Sequence, residues 1–224
     1  MTNSGAYEAA VSGLRAHYNS EVMDRKLIFW DVDTQVDFML PEGKLYVPGA
    51  ETIIPTLARL THWAAQHHVL VVASADAHQP DDEEFSQYPP HCLAGTPGQR
   101  KIPETSLTPQ FTIPNRYGAE LPDAGLYQQI VLEKQKFDVF TNPNTEAFMA
   151  QLGRPEIALY GVVTEICVSA AARGLLDRGY RVTVVEDAIQ PLDRDKGRAF
   201  LEEVRQRGGR IVTAEQLLSS IAAA

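Results

Sequence analysis

Cys167 stands in the run Gly161-Val162-Val163-Thr164-Glu165-Ile166-Cys167-Val168, directly behind an apolar stretch, Ile157 to Tyr160. Thr164 is a suitable helix N-cap, which places Cys167 third in the first helical turn. There the helix dipole and free backbone N–H groups favour thiolate over thiol, and the same N–H groups can hold an oxyanion. A packing cysteine would look the same from position alone, so both readings stay open. A second cluster is Asp31-Val32-Asp33-Thr34-Gln35-Val36-Asp37-Phe38, with three carboxylates close in sequence. Crowded like charges raise a carboxylate pKa toward the range useful for a base, although one of the three can simply cap the next turn. Lys134 closes another apolar run and by itself reads as a snorkelling surface residue. Asp76-Ala77-His78, then Glu84, then Tyr88-Pro89-Pro90-His91-Cys92 supply two imidazoles and carboxylates. That set suits a divalent transition metal with open positions, or is a pair of unrelated loop histidines. Cys92, the rival thiol, lies in a Pro-rich loop with no helix start to activate it and reads as a packing residue beside His91.

These side chains need elements to position them. Leu27 to Val32, Val69 to Ala73, Ile130 to Leu132, Ile157 to Tyr160, Val182 to Val185 and Arg210 to Val212 read as buried strands. Amphipathic segments lie between or after them: Glu51 to His67, Thr145 to Leu152, Glu165 to Arg178, Arg194 to Arg207 and Glu215 to Ile221. The alternation predicts an α/β fold, a doubly wound, Rossmann-like, mostly parallel six-stranded sheet with helices on both faces. In such sheets function gathers at the carboxyl ends of strands near the point where strand order reverses. Asp33, Asp76, Lys134 and Cys167 all fall there. Two regions break the pattern. Ala6 to Tyr18 read as an extra N-terminal helix, so residues 1–25 are expected to be an extension of a domain spanning 26–224. The stretch from Asp76 to Gln129 is long and rich in Pro, Gly and polar residues, which marks a functional or disordered loop.

Composition narrows the classes. The chain has 224 residues, 44% hydrophobic and 22% charged, as for one soluble domain with a sizeable core. A formal charge of −9 without a basic cluster argues against a nucleic-acid partner. Two cysteines are too few for a disulfide framework, and no signal peptide or membrane-spanning apolar run is apparent, so a cytoplasmic protein without membrane attachment is expected.

In this order the motifs resemble the isochorismatase-like cysteine hydrolases, and within them the nicotinamidases. Asp33-Thr34-Gln35-Val36-Asp37-Phe38 looks like the family's D-x-Q-x-D-F segment, which selects Asp33 over Asp31. Asp76-Ala77-His78, Pro90-His91-Cys92 and Gly95-Thr96-Pro97-Gly98 look like its metal-bearing pattern. Lys134-Gln135-Lys136-Phe137-Asp138-Val139-Phe140 is similar to the K-x-x-[YF]-x-x-F block, and the Cys167 segment to G-x-x-T-[DE]-x-C-V. The similarity spans about residues 26 to 213. It implies catalytic roles for Asp33, Lys134 and Cys167, and an oxyanion hole from the Val163 and Cys167 N–H groups beside a cis Val162–Val163 peptide. It further implies a divalent metal, zinc first and iron or manganese next, on Asp76, His78 and His91. Glu84 would be a ligand as in only some members. Phe38, Tyr88 and Val162 would border an aromatic substrate. A homo-oligomer acting on a small amide is implied as well. Thr141-Asn142-Pro143-Asn144 and the segment from Gly98 to Leu126 depart from the pattern, and both are expected at the pocket entrance.

The implied reaction is amide hydrolysis through a thioester, with nicotinamide as substrate. Its alternatives are another small amide of carbamoyl or maleamate type, a metal-hydroxide hydrolase, or a non-catalytic binding protein on the same fold. Isochorismate vinyl-ether hydrolysis fits less well, because the family's isochorismate hydrolases do not keep the cysteine.

Overall fold

The computed structural model describes residues 27–222; the expected N-terminal helix, Ala6 to Tyr18, lies outside them. The apolar runs become β1 (Leu27–Val32), β2 (Val71–Asp76), β4 (Gln129–Lys134), β5 (Glu156–Val162), β6 (Arg181–Gln190) and β7 (Arg210–Val212). Between them lie α1 (Val36–Met39), α2 (Ile54–Gln66), α3 (Thr145–Gln151), α4 (Ser169–Asp177), α5 (Arg194–Gln206) and α6 (Ala214–Ala222). The sheet has seven strands, not six, because the long polar stretch contributes β3 (Gln110–Ile113). Only Ile113 of β3 is buried, so this short edge strand carries no apolar run to betray it.

Strand order is β3-β4-β2-β1-β5-β6-β7, and every pairing is parallel. Parallel strands covered by helices are buried on both faces, and β2 is buried at every position, polar Ser74 and Asp76 included. From β1 the chain moves to one side through β2, β3 and β4, then crosses back to place β5 on the other side of β1. The order therefore reverses at the β1/β5 pair, and a crevice opens at its carboxyl end. Close approach there demands glycine. Gly161 has φ of +120°, and a Cβ on it would come within 2.1 Å of the Val32 carbonyl oxygen.

The two segments expected at the pocket entrance sit elsewhere. Asn142 and Asn144 are buried and donate side-chain hydrogen bonds to the carbonyls of Ile113, Glu133, Pro114 and Arg116. They brace the turn after β3. From residues 99–126, Lys101 reaches inward to pair with Asp31 at 2.7 Å, and no residue of that segment lines the cavity described below.

Candidate active site

Asp33 follows β1 with φ of +52°, a left-handed conformation that takes the chain out of the sheet. Its carboxylate is buried, accepts the Ser74 hydroxyl at 2.6 Å on Oδ1, and lies 2.9 Å from the Lys134 ammonium on Oδ2. That approach is oblique for a directed hydrogen bond, so Oδ2 keeps a lone pair for another donor. Lys134, the last residue of β4, is fully buried rather than snorkelling. It points its ammonium between Asp33 and Asp76, 2.5 Å from Asp76 Oδ1, and donates to Cys167 Sγ at 3.6 Å. Sequence position alone made this residue unremarkable; two buried carboxylates hold it in place.

The three neighbouring aspartates do not crowd one another. Asp31 pairs with Lys101 and Thr34, and Asp37 accepts the backbone N–H groups of Lys44 (3.1 Å) and Cys92 (2.7 Å). Asp33 is raised above the ordinary carboxylate range chiefly by burial and also by the charge of Asp76, against the lowering pull of Lys134. Burial would raise Asp76 too, but the Lys134 ammonium holds it low. The ammonium thus serves two carboxylates unequally, and Asp33 is the more basic. Lys134 itself, although burial opposes its charge, is kept protonated far above neutrality by Asp33, Asp76 and Cys167.

The turn carrying Cys167 differs from the expected N-capped α-turn. Residues Thr164–Val168 form one π-helical turn, closed by Ile166 and Val168 N–H groups on the Val163 carbonyl, each at 3.1 Å, and α4 starts only at Ser169. Thr164 gives no cap; its hydroxyl is buried without a partner. The Val162–Val163 peptide just before it is cis. The thiol is not set up as a free-standing thiolate either. Burial pushes the Cys167 thiol well up, Lys134 lowers it, and Asp33 and Asp76 raise it. Helix-dipole reasoning fails because a buried, π-wound turn flanked by two carboxylates is not an exposed helix start.

Asp33, Asp76, Cys167, Phe38, Glu84, Tyr88, His91, Val162 and Val163 share one cavity of about 600 Å³, open mouth included. Lys134 and His78 stand behind its wall. The His78 and His91 rings lie 4.8 Å apart between centroids. His78 Nδ1 meets Asp82 Oδ2 at 2.9 Å and His91 Nδ1 meets the Pro89 carbonyl at 2.9 Å. Those partners accept, so each Nδ1 carries the hydrogen and each Nε2 offers a lone pair. His78 Nε2 is buried without a hydrogen-bond partner, 3.8 Å from Asp76 Oδ2, and His91 Nε2 is 3.9 Å from Glu84 Oε1. An orphaned imidazole lone pair facing a carboxylate and a second imidazole fits a divalent cation, and Asp76, His78 and His91 have ligand atoms within 4.8 Å of one another.

Sequence reasoning missed three supports. Ser74 shares a face of β2 with Asp76, and a hydroxyl two residues before a site carboxylate in a buried strand was its signal. Phe85 packs against both imidazoles, at 5.3 and 5.8 Å between centroids, with no signal beforehand. Gln35 is the third. Past Asp33, whose N–H still donates to the Ser74 carbonyl at 3.2 Å, the chain leaves β2 and the Gln35 amide takes over the pairing. It accepts the Asp76 N–H at 2.7 Å and donates to the Asp76 and Gln99 carbonyls at 2.8 and 2.7 Å.

The Isochorismatase domain family matches residues 27–216. A nicotinamidase of Saccharomyces cerevisiae is 27% identical over 192 residues, covering 73% of this chain and 88% of its own. A maleamate amidohydrolase of Pseudomonas putida is 24% identical over 198 residues, covering 88% and 87%. Among solved structures, a pyrazinamidase of Pyrococcus horikoshii in complex with zinc superposes with a TM-score of 0.69 at 25% identity, over 84% of this chain and 99% of its own.

Proposed function

The chain belongs to the isochorismatase family of hydrolases, and from that premise we propose that it is a cysteine-nucleophile amidohydrolase of nicotinamidase type. The observation that carries this reading is the Cys167 thiol 3.6 Å from the Lys134 ammonium, with Asp33 on the same ammonium and both Asp33 and Cys167 facing one cavity. Asp33 Oδ2 accepts the thiol proton as Sγ attacks the amide carbonyl carbon. Lys134 balances the ionised pair. The Val163 and Cys167 N–H groups hold the oxyanion. As the C–N bond breaks, Asp33 returns the proton to the departing ammonia and a thioester remains. Water then gives its proton to Asp33 and attacks the thioester carbon. The acid leaves and the thiol is restored.

Asp76, His78, His91 and Glu84 would hold a divalent metal, zinc first, which when bound supplies a Lewis-acidic point that orients the substrate. Phe38, Tyr88 and Val162 border the cavity and would flank an aromatic ring. Ring amides are favoured over maleamate-like acids because no Arg or Lys side chain among the described residues lines the cavity to receive a second carboxylate. Ammonia release from nicotinamide, compared with maleamate and with metal content measured on the same sample, tests this. Release from nicotinamide that Cys167→Ala abolishes is expected. Release that survives in Cys167→Ala but stops on chelation would instead make the metal the source of the nucleophile.

A further inference from the structure

Four large hydrophobic side chains are strongly exposed among the described residues, and two of them, Phe137 (42%) and Leu192 (56%), line the mouth of the catalytic cavity. Apolar area left at an opening is costly unless something covers it. Both are held. Phe137 meets the Tyr88 ring edge-on at 6.4 Å between centroids. Leu192 sits on a loop whose own N–H and that of Asp193 donate to Glu165 Oε1 at 3.1 and 2.7 Å, and Glu165 is two residues before Cys167. Gln190, just before, donates to the Pro48 carbonyl at 2.8 Å, tying the loop to the segment whose Leu45, Tyr46 and Val47 also line the cavity. Phe137 and Leu192 therefore share one cavity with Val162, Val163 and Ile166 beside Cys167, and the loop carrying Leu192 is anchored to the nucleophile's own turn.

We propose that this rim is part of the binding site and that the substrate class is a ring amide carrying an apolar extension, whose distal end lies between Phe137 and Leu192. The inference rests on the amidase reading above and narrows its substrate. The occupant is the substrate's own tail because the rim lines the same cavity as Cys167, is hydrogen-bonded to the turn that carries it, and offers no Lys or Arg to an acidic group. A primary amide with one small ring would leave both side chains wet.

The test is a panel of nicotinamides bearing a butyl or phenyl group at ring carbon 4, 5 or 6 in turn, assayed by ammonia release beside nicotinamide. At least one isomer is expected to exceed nicotinamide in kcat/KM by about tenfold or more, through KM, since each methylene entering an apolar site contributes measurably. In Leu192→Ser and in Phe137→Ser that ratio is expected to fall toward one. Leu192 is exposed, so its variant should fold, and far-ultraviolet circular dichroism checks both. If nicotinamide is turned over but no extended isomer is preferred, the rim proposal is overturned while the amidase reading stands. A preference that both variants retain also overturns it. If no amide in the panel is hydrolysed, the amidase reading fails and takes the rim proposal with it.

Discussion

The loop around Cys92 and the turn around Cys167 present the same atom in the same protein, and they part company over what surrounds it. Both thiols are buried and both are pushed up by burial. Cys92 sits at φ of +44°, gives its backbone N–H to Asp37, and has its sulfur 3.9 Å from the Gly98 carbonyl oxygen. Its nearest charges after burial are carboxylates, which disfavour a thiolate further. Cys167 shares two of them, Asp33 and Asp76, but it accepts a hydrogen bond from the Lys134 ammonium and faces the cavity. Burial is therefore no guide to reactivity. A cation within reach, a base beside it and an open side are.

The widest separation of the two is expected on removal of the sulfur. Cys167→Ala should lower ammonia release by on the order of ten-thousand-fold or more, because the covalent route disappears. Asp33→Asn should come next, at about a thousand-fold, and it splits ionisation from turnover. Asp33 raises the Cys167 thiol, so removing its charge leaves Lys134 less opposed. Alkylation of Cys167 by iodoacetamide should then begin at lower pH than in the parent even as turnover collapses, whereas Cys92 stays inert. Stability should move the other way from activity. The pKa of Asp33 is raised on folding, so its contribution is full below the unfolded carboxylate pKa and is lost as pH climbs through the raised value. Asn escapes that loss, and a thermal melt at neutral pH should show a midpoint no lower than the parent's. A lower midpoint together with unchanged alkylation would sink the assignment of Asp33 as the thiol's base.

A smaller effect should come from Gln35, which touches neither sulfur. Its amide stands in for a strand where β1 has left β2, and so sets the direction of the Asp76 carboxylate between Lys134 and the imidazoles. Gln35→Leu keeps the bulk and deletes the clamp. Supporting groups of this kind typically change metal affinity by about 10–100-fold. Zinc affinity measured by chelator competition should weaken in that range, with kcat/KM falling in proportion and returning in part at high zinc. An unchanged zinc affinity would reduce Gln35 to a packing role.

Much of this arrangement was legible beforehand, and the reasons differ by element. Six of the seven strands were readable because strands covered on both faces carry near-continuous apolar runs, as β2 does from Val71 to Ala73 and β5 from Ile157 to Tyr160. Asp33 and Lys134 were placeable because one directly follows and the other ends such a strand, and Cys167 because it lies on the turn that follows β5. The edge strand β3 was hidden, since a half-exposed strand of four residues has no periodic signature. Thr164 was misread because a capping residue and a π-turn residue look alike in sequence. The forces on the Cys167 thiol were not readable, because desolvation and neighbouring charge depend on residues from β1, β2 and β4 that only the fold brings together.

The last prediction concerns the quieter thiol. Cys92→Ala should leave kcat and KM for the amide within about threefold of the parent, because the side chain lines no part of the cavity. What it does fill is the space beneath a loop tied to Asp37, and Asp37 is so close to Gly98 that a Cβ there would sit 2.2 Å from its carboxylate. Losing a small buried side chain in that packing should cost about 1 kcal/mol, read as a lower urea midpoint with an unchanged slope. The Asp37 bond is to the Cys92 backbone and survives the substitution, which is why the cost stays small and the neighbouring His91 keeps its place. Should Cys92→Ala instead abolish ammonia release in a protein that melts like the parent, the division of labour between the two sulfurs would have to be reversed.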